Sequence, residues 1–150
     1  MGSGAEGRPL VGGRAEGRAL VLKEPLSFWG GVDPATGTII DVHHPQRGAV
    51  VAGRILVIPG GRGSSSSSSV LAEAVRVGSA PAAILVREPD AILVIGALVA
   101  RELYGRTCPV VALDAAAHAQ IAEGERLLVG ADGRISRPGR PDAPRSGGRT

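Results

Sequence analysis

Short apolar runs of strand length follow one another through the middle of the chain. The segments GRILVIP (residues 53–59), PAAILVRE (81–88) and CPVVAL (108–113) each contain an uninterrupted apolar stretch. Such a stretch is typical of a strand that is covered on both faces. The pattern therefore predicts three buried strands, each with side chains packed above and below the sheet.

Helical patterns fill the two intervals between these strands. In residues 70–77 the apolar side chains recur on one helical face, and Gly78 is a suitable C-terminal stop. Residues 89–105 begin with a Pro-Asp pair and end at a glycine, which are start and stop signals of a helix. A third, short helix is predicted with Asp114 as its N-cap.

The flanking segments carry weaker patterns. A strand is predicted over about 19–23, followed by a loop that contains the only Phe and Trp, and another strand lies in GTIIDV (37–42). The segment 125–135, with its Asp-Gly turn, predicts a hairpin. The order of elements predicts one compact α/β domain, with a mixed sheet and covering helices. Residues 1–16 are predicted to be a flexible segment and 136–150 a disordered basic tail.

Composition narrows the class of protein. The chain has 150 residues and is 43% hydrophobic, but it has only three aromatic residues, so Val, Ile, Leu and Ala must build the core. Its net charge of +3 comes from scattered arginines without an aromatic platform, which argues against nucleic-acid binding. Residues 1–13 contain no apolar run, so no secretory leader is expected, and the run 91–100 is too short to span a bilayer. A cytoplasmic protein without a membrane or nucleic-acid partner is expected.

Six consecutive serines, residues 64–69, raise the question of chemistry. A flexible linker is one interpretation, but the run joins a predicted strand to a predicted helix within one unit. Glycines and serines at a helix N-terminus offer backbone N–H groups and hydroxyls to an anion. Three roles are open on the residues alone: anion or substrate binding, an activated catalytic serine, or capping and turn formation. No Gly-Lys-Ser/Thr is present, which argues against a Walker-A loop.

Several motifs resemble one known family. The segments GRILVIPGGRGSSSSSSVLAEAV, APAAILVREPDAILVIGALVARELYG and PVV occur in the same order as in the swivelling domain of the aconitase X family. The segment PLSFWGGVDPATGTIIDVHHPQRG matches the upstream part of the same domain. The resemblance covers residues 17–135 and implies a single compact swivelling β/α domain of the aconitase superfamily.

The resemblance also suggests site residues. The sequence Gly-Arg-Gly-Ser-Ser at 61–65 is similar to the loop that supplies the catalytic serine base in ordinary aconitases, which puts Ser64 in the base position. Position 66 is Ser where ordinary aconitases have Arg, so recognition of carboxylate must differ. The residues implied to bind substrate or stabilise charge are Gly61, Arg62, Gly63, Ser65, Ser66, Ser27 and Trp29.

Members of this family are hydro-lyases, and their iron or iron–sulfur centre is held by a large partner domain. With one cysteine and little chain beyond the swivelling domain, this protein resembles the separate small subunit, which binds no cofactor itself. The family dehydrates cis-3-hydroxy-L-proline or (R)-5-phosphomevalonate, and the Ala- and Arg-rich composition favours the first. The alternative outside the family's chemistry is a non-catalytic anion-binding module. In isolation, the exposed partner-facing surface could also form homo-oligomers.

Other residues are weaker candidates. His43 and His44 could bind a metal with Asp41, but adjacent histidines on a strand point to opposite faces, so no metal site is predicted. Cys108 is expected to be a small buried residue. Arg87 follows a strand at the same sheet edge as the serines, where an ion pair with Glu88 is the simpler interpretation and a carboxylate ligand the alternative.

Overall fold

A computed structural model describes residues 5–61 and 66–138 of the chain. The strands are β1 Ala5–Glu6, β2 Arg8–Val11, β3 Ala15–Val21, β4 Val32–Asp33, β5 Thr38–Ile39, β6 Ile55–Ile58, β7 Ala83–Val86, β8 Val110–Ala112, β9 Arg126–Val129 and β10 Arg134–Ser136. The helices are α1 Phe28–Gly31, α2 Ser66–Val77, α3 Ala91–Tyr104 and α4 Ala115–Ala119.

Within the described residues, eight strands form one sheet in the order β1-β10-β9-β3-β6-β7-β8-β2. The central strands β3, β6, β7 and β8 are parallel, whereas the outer pairs are antiparallel. Strands β4 and β5 form a separate hairpin. The predicted mixed sheet with covering helices is confirmed, and so is the hairpin between β9 and β10.

The alternation of side chains along the parallel strands divides the core in two. In β6, Leu56 and Ile58 pack toward the cluster that includes Leu71 of α2. Ile55 and Val57 point to the other face, into a cluster with residues of β7, β8 and β9. Both faces are therefore buried, which explains the uninterrupted apolar runs in the sequence.

Most of the predicted helix boundaries are confirmed. The Asp90 carboxylate accepts hydrogen bonds from the first backbone N–H groups of α3, and Gly105 ends that helix with a φ of 70°. Asp114 caps α4. Helix α2 begins earlier than the apolar pattern indicated, since Ser66 to Ser69 already belong to it. Serine is a poor residue in a helix interior but is tolerated in the first turn, where its hydroxyl can bond locally. None of the helices in the described part of the chain is long and apolar enough to cross a membrane.

The N-terminal segment differs from its prediction. Residues 1–16 were expected to be flexible, but strands β1, β2 and the start of β3 lie within residues 5–16 and pair with distant strands. That prediction is therefore wrong for residues 5–16. The strands are two to four residues long and are interrupted by glycines, so they carry almost no local signal. Residues 139–150, most of the predicted basic tail, lie outside the described residues.

Gly7 joins β1 to β2 and thereby brings the two edges of the sheet together. Its N–H bonds to the carbonyl oxygen of Gly133, 3.1 Å away. A Cβ at this position would lie 2.3 Å from Cγ1 of Val111 and 2.8 Å from the Gly133 oxygen. Because β1 and β2 are the two end strands of the sheet and only Gly7 separates them, the sheet closes on itself as a barrel, and no side chain fits at this junction.

Gly7→Ala is expected to destabilise the domain by about 1–3 kcal/mol, the usual cost of overpacking. The measurement is the free energy of unfolding by chemical denaturation. Gly12→Ala is the matched control, because a Cβ at Gly12 meets only the Ala131 oxygen at 3.4 Å, an ordinary contact. Equal free energies of unfolding for Gly7→Ala and Gly12→Ala would contradict the close packing around Gly7.

Candidate functional site

The parallel strands direct several connections to one edge of the sheet. Strands β3, β6 and β7 end at Val21, Ile58 and Val86, and because they are parallel, the segments that follow them lie at the same carboxyl edge. In α/β folds, both barrels and open sheets, ligand sites usually lie at this carboxyl edge. The serine run follows β6, so the fold places it where such a site is expected.

The serine run is described only in part. Arg62, Gly63, Ser64 and Ser65, which include the predicted base, lie outside the described residues. The flanking residues fix where the run leaves and re-enters the described fold. Gly61 pairs with Leu26 in a parallel bridge, and Ser66 begins α2 with its side chain exposed.

Gly61 lies against the N-cap of α3. A Cβ on Gly61 would lie 2.1 Å from Oδ2 of Asp90 and 2.9 Å from its Cγ. The other oxygen of Asp90 accepts hydrogen bonds from the N–H groups of Ile92 and Leu93, at 2.8 and 3.3 Å. The carboxylate is therefore held in place, and only glycine fits at position 61.

Ser67 connects the serine run to the segment that contains Ser27 and Trp29. Ser67 is 2% exposed, and its Oγ accepts a hydrogen bond from the Trp29 N–H at 3.1 Å. It also lies 3.1 Å from Oγ of Ser27, and Ser27 donates to the Trp29 carbonyl oxygen at 3.0 Å. Since Leu26, next to Ser27, also pairs with Gly61, four predicted positions lie on one side of the domain: Gly61, Ser66, Ser27 and Trp29.

The segment around Trp29 has an unusual backbone. Helix α1 includes two residues with non-helical angles: Trp29 has a φ of −79° and a ψ of 117°, and Gly30 has a φ of 79°. Phe28 is fully buried, whereas Trp29 is 60% exposed. The segment was predicted to be a loop, and the kinked α1 keeps that character: Phe28 anchors it and Trp29 stands at the surface.

His118 supports the strand that leads into the site. Its Nε2 donates a hydrogen bond to the carbonyl oxygen of Ile58, the last residue of β6, at 2.9 Å. A carbonyl only accepts, so the proton must be on Nε2. The sequence alone indicates no function for His118 or Ser67, and for Asp90 it indicates only a helix start. Nothing in an Ala-rich helix or a run of identical serines marks these contacts in advance.

The remaining candidates are placed as follows. The Arg87 guanidinium lies 4.0 Å from the carboxylate of Glu88, which agrees with the ion pair, the simpler of the two interpretations. Arg87 also lines a cleft of about 450 Å³ together with Arg8 and Asp114. Cys108 is buried as predicted, and burial raises the pKa of its thiol well above the ordinary value.

His43 and His44 are adjacent in one turn, but their side chains have different surroundings. His44 is buried and its Nδ1 accepts a hydrogen bond from the Gln46 N–H at 3.0 Å, whereas His43 is exposed. Among residues 5–61 and 66–138, no group of three or more His, Cys, Asp or Glu residues is arranged to hold a metal ion. The described residues therefore do not fit an iron or iron–sulfur centre.

The fold is an α/β barrel with a glycine- and serine-rich connection at the carboxyl edge of its parallel strands. Such a domain is suited to binding a ligand at that edge. The comparison with known families agrees with the resemblance read from the sequence. The chain belongs to the aconitase X swivel-domain family, whose model matches residues 4–137.

Individual relatives are of two kinds. Over 106 residues the chain is 57% identical to a cis-3-hydroxy-L-proline dehydratase of Pseudomonas aeruginosa, an alignment that covers 71% of this chain but only 18% of that protein. The phosphomevalonate dehydratase small subunit of Thermococcus onnurineus is 40% identical over 127 residues, or 85% of this chain and 92% of that subunit. This chain thus spans about a fifth of the length of the first relative and nearly all of the second.

A solved structure confirms the fold. The crystal structure of Thermococcus kodakaraensis aconitase X in its holo-form contains a chain with a TM-score of 0.79 and 37% sequence identity. The match covers 89% of this chain and 97% of that chain. The aconitase X-type fold predicted from the sequence motifs is therefore correct over almost the whole domain.

Proposed function

We propose that this chain is the swivelling small subunit of an aconitase X-type hydro-lyase, and that Ser64 is its catalytic base. The observation that carries the proposal is the path of the serine run. It leaves β6 through Gly61, which abuts Asp90, and it enters α2 at Ser66, beside the segment held by Ser67. The described residues on either side of positions 62–65 thus lie beside helix N-termini, Gly61 at the N-cap of α3 and Ser66 at the start of α2, and Ser67 contacts the backbone of the exposed Trp29.

The chemistry proposed for this edge is a dehydration. Ser64, as the alkoxide, takes a proton from a carbon of the substrate, the electrons of that C–H bond form the double bond, and the C–O bond breaks as the hydroxyl leaves. The leaving oxygen takes up a proton and departs as water. Negative charge on the base is favoured by the N-terminal end of α2 and by the guanidinium of Arg62.

The favoured substrate is cis-3-hydroxy-L-proline. The support is the identity of 57% to a dehydratase of that name, compared with 40–48% to phosphomevalonate dehydratase small subunits. The second substrate, (R)-5-phosphomevalonate, is kept as the alternative because the alignment with that small subunit covers 92% of its length. A third possibility, anion binding without chemistry, is an outcome of the experiment below.

The partner proposed is a large aconitase X-type catalytic subunit that carries the iron or iron–sulfur centre. Exposed apolar side chains suggest where it docks. Trp29 is 60% exposed and Ile40 is 47% exposed. The segments that carry them are adjacent, since the Ile40 N–H bonds to the carbonyl oxygen of Gly31 at the end of α1. We place the large subunit over this side, where it would close the substrate site and cover the apolar surface.

The test is to produce the chain together with a large aconitase X-type subunit from the same genome and to assay both substrates in parallel. Turnover of cis-3-hydroxy-L-proline by the complex, and by neither subunit alone, is expected. Turnover of phosphomevalonate instead would overturn the substrate assignment but keep the hydro-lyase. A metal-loaded complex that binds a substrate without converting it would favour the anion-binding module.

A further inference from the structure

Ser67 differs from the other serines of α2. Ser66 and Ser69 are exposed and Ser68 is half-buried, whereas Ser67 is 2% exposed. A buried hydroxyl needs partners for both its hydrogen and its lone pairs, because an unpaired one carries a desolvation cost. The contacts of Ser67 can therefore be assigned atom by atom.

The hydrogen bonds around Ser67 form a closed ring. Ser27 donates its only hydroxyl hydrogen to the Trp29 carbonyl oxygen, so it can only accept from Ser67. Ser67 in turn accepts from the Trp29 N–H. The donor order is thus Trp29 N–H to Ser67, Ser67 to Ser27, and Ser27 to the Trp29 carbonyl. Each hydroxyl donates once and accepts once, and bonds in such a ring strengthen one another.

This ring holds both polar groups of the Trp29 backbone. Trp29 has a non-helical ψ of 117°, and Gly30 follows with a positive φ of 79°, so helical hydrogen bonds do not fix the conformation here. The two serine hydroxyls take their place. They connect Trp29 directly to the first turn of α2, which continues the serine run.

We propose that Ser67 is a positioning residue: through Ser27 it fixes Trp29 as a wall of the substrate site, next to the serine run. This proposal rests on the proposed function and extends it to a residue for which neither the resemblance nor the relatives assign a role. Ser67 itself touches no substrate. Its effect passes through the Trp29 backbone to the exposed indole.

The first measurement is the fluorescence of Trp29 in the full chain. Trp29 is the only tryptophan, so its emission, its anisotropy and its quenching by acrylamide report on this segment alone. Ser67→Ala is expected to lower the anisotropy and to increase quenching about 1.5- to 2-fold, because loss of the ring frees a surface side chain that the fold otherwise holds. Ser69→Ala, an exposed position in the same helix, is the matched control and should resemble the wild type.

The second measurement is kinetic and uses the assembled enzyme. Ser67→Ala and Ser27→Ala should each raise KM about 3- to 10-fold, the loss expected for one or two neutral hydrogen bonds, with a smaller change in kcat. The double variant should be scarcely worse than either single one, because each change alone opens the same ring. Ser67→Thr, which keeps a hydroxyl, should recover part of the loss.

The outcomes of these two measurements distinguish the positioning role of Ser67 from the proposed hydro-lyase function. Unchanged fluorescence in Ser67→Ala, or additive effects of the two serine changes, would overturn the ring as a positioning device. Altered fluorescence with unchanged KM would show that Trp29 is held but is not a wall of the site, which also overturns the inference. Failure of the wild-type complex to dehydrate either substrate would count against the proposed function, while the fluorescence result would still decide whether Ser67 positions Trp29.

Discussion

Replacing Ser64 by alanine is expected to lower the dehydration rate of the assembled enzyme by roughly 10²- to 10⁴-fold, the range for loss of a positioned general base. Alanine cannot accept the substrate proton, and no other side chain of the run is assigned that role. Binding should be affected much less than the rate, so kcat should carry most of the loss. The measurement is steady-state kinetics on the purified complex of both subunits.

The same experiment needs evidence that the complex is intact. Size-exclusion chromatography and thermal unfolding should show the same assembly for Ser64→Ala and wild type. Ser69→Ala, which changes an exposed serine of the same run, should keep nearly full activity. If Ser64→Ala also keeps nearly full activity, the run only binds the substrate and the base lies elsewhere.

Gly61→Ala is expected to have the second-largest effect, about a 10- to 100-fold loss of activity. The new Cβ would overlap Oδ2 of Asp90, which cannot simply rotate away because its other oxygen caps α3. Either the cap is lost, at about 1 kcal/mol of stability, or the serine run shifts from its place. A displacement of about 1 Å in a catalytic group can reduce the rate about 100-fold.

Two further variants make this prediction specific. Gly60→Ala is the control, because a Cβ at Gly60 would meet only Glu88 Cβ at 3.6 Å and the Glu88 oxygen at 3.7 Å, both ordinary contacts. Asp90→Ser in the Gly61→Ala background should restore part of the activity, since serine also caps a helix but has no second oxygen to collide. The measurement is kcat/KM of the three variants beside the unfolding midpoint. An active Gly61→Ala enzyme would show that this contact does not position the run.

The sequence was most informative where a local rule decided the structure. Strands β6 and β7 were visible because both of their faces are buried, which leaves a continuous apolar run. Helix α3 could be bounded at both ends because Asp90 and Gly105 have capping roles that depend on their immediate neighbours. The aconitase X-type fold was recognised because several motifs occur in a fixed order.

The features that the sequence did not reveal depend on partners far along the chain. Strand β1 is two residues long and pairs with β10, more than a hundred residues later, so its sequence alone predicts a flexible segment. Ser67 could not be told apart from its five identical neighbours, because its burial comes from packing against Ser27 and Trp29. The contact between Gly61 and Asp90 likewise joins two loops that only the parallel sheet brings together.

The closure of the barrel at Gly7 has a consequence for association between chains. A strand at the border of a sheet offers unpaired N–H and C=O groups, and another chain can add a strand there and start aggregation. In the described part of the chain, β8 and β10 would be border strands without the N-terminal segment. Strand β2 pairs with β8, and β1 pairs with β10. One short N-terminal segment therefore protects both borders at once. Further chains therefore find no free border of this sheet at which to add a strand.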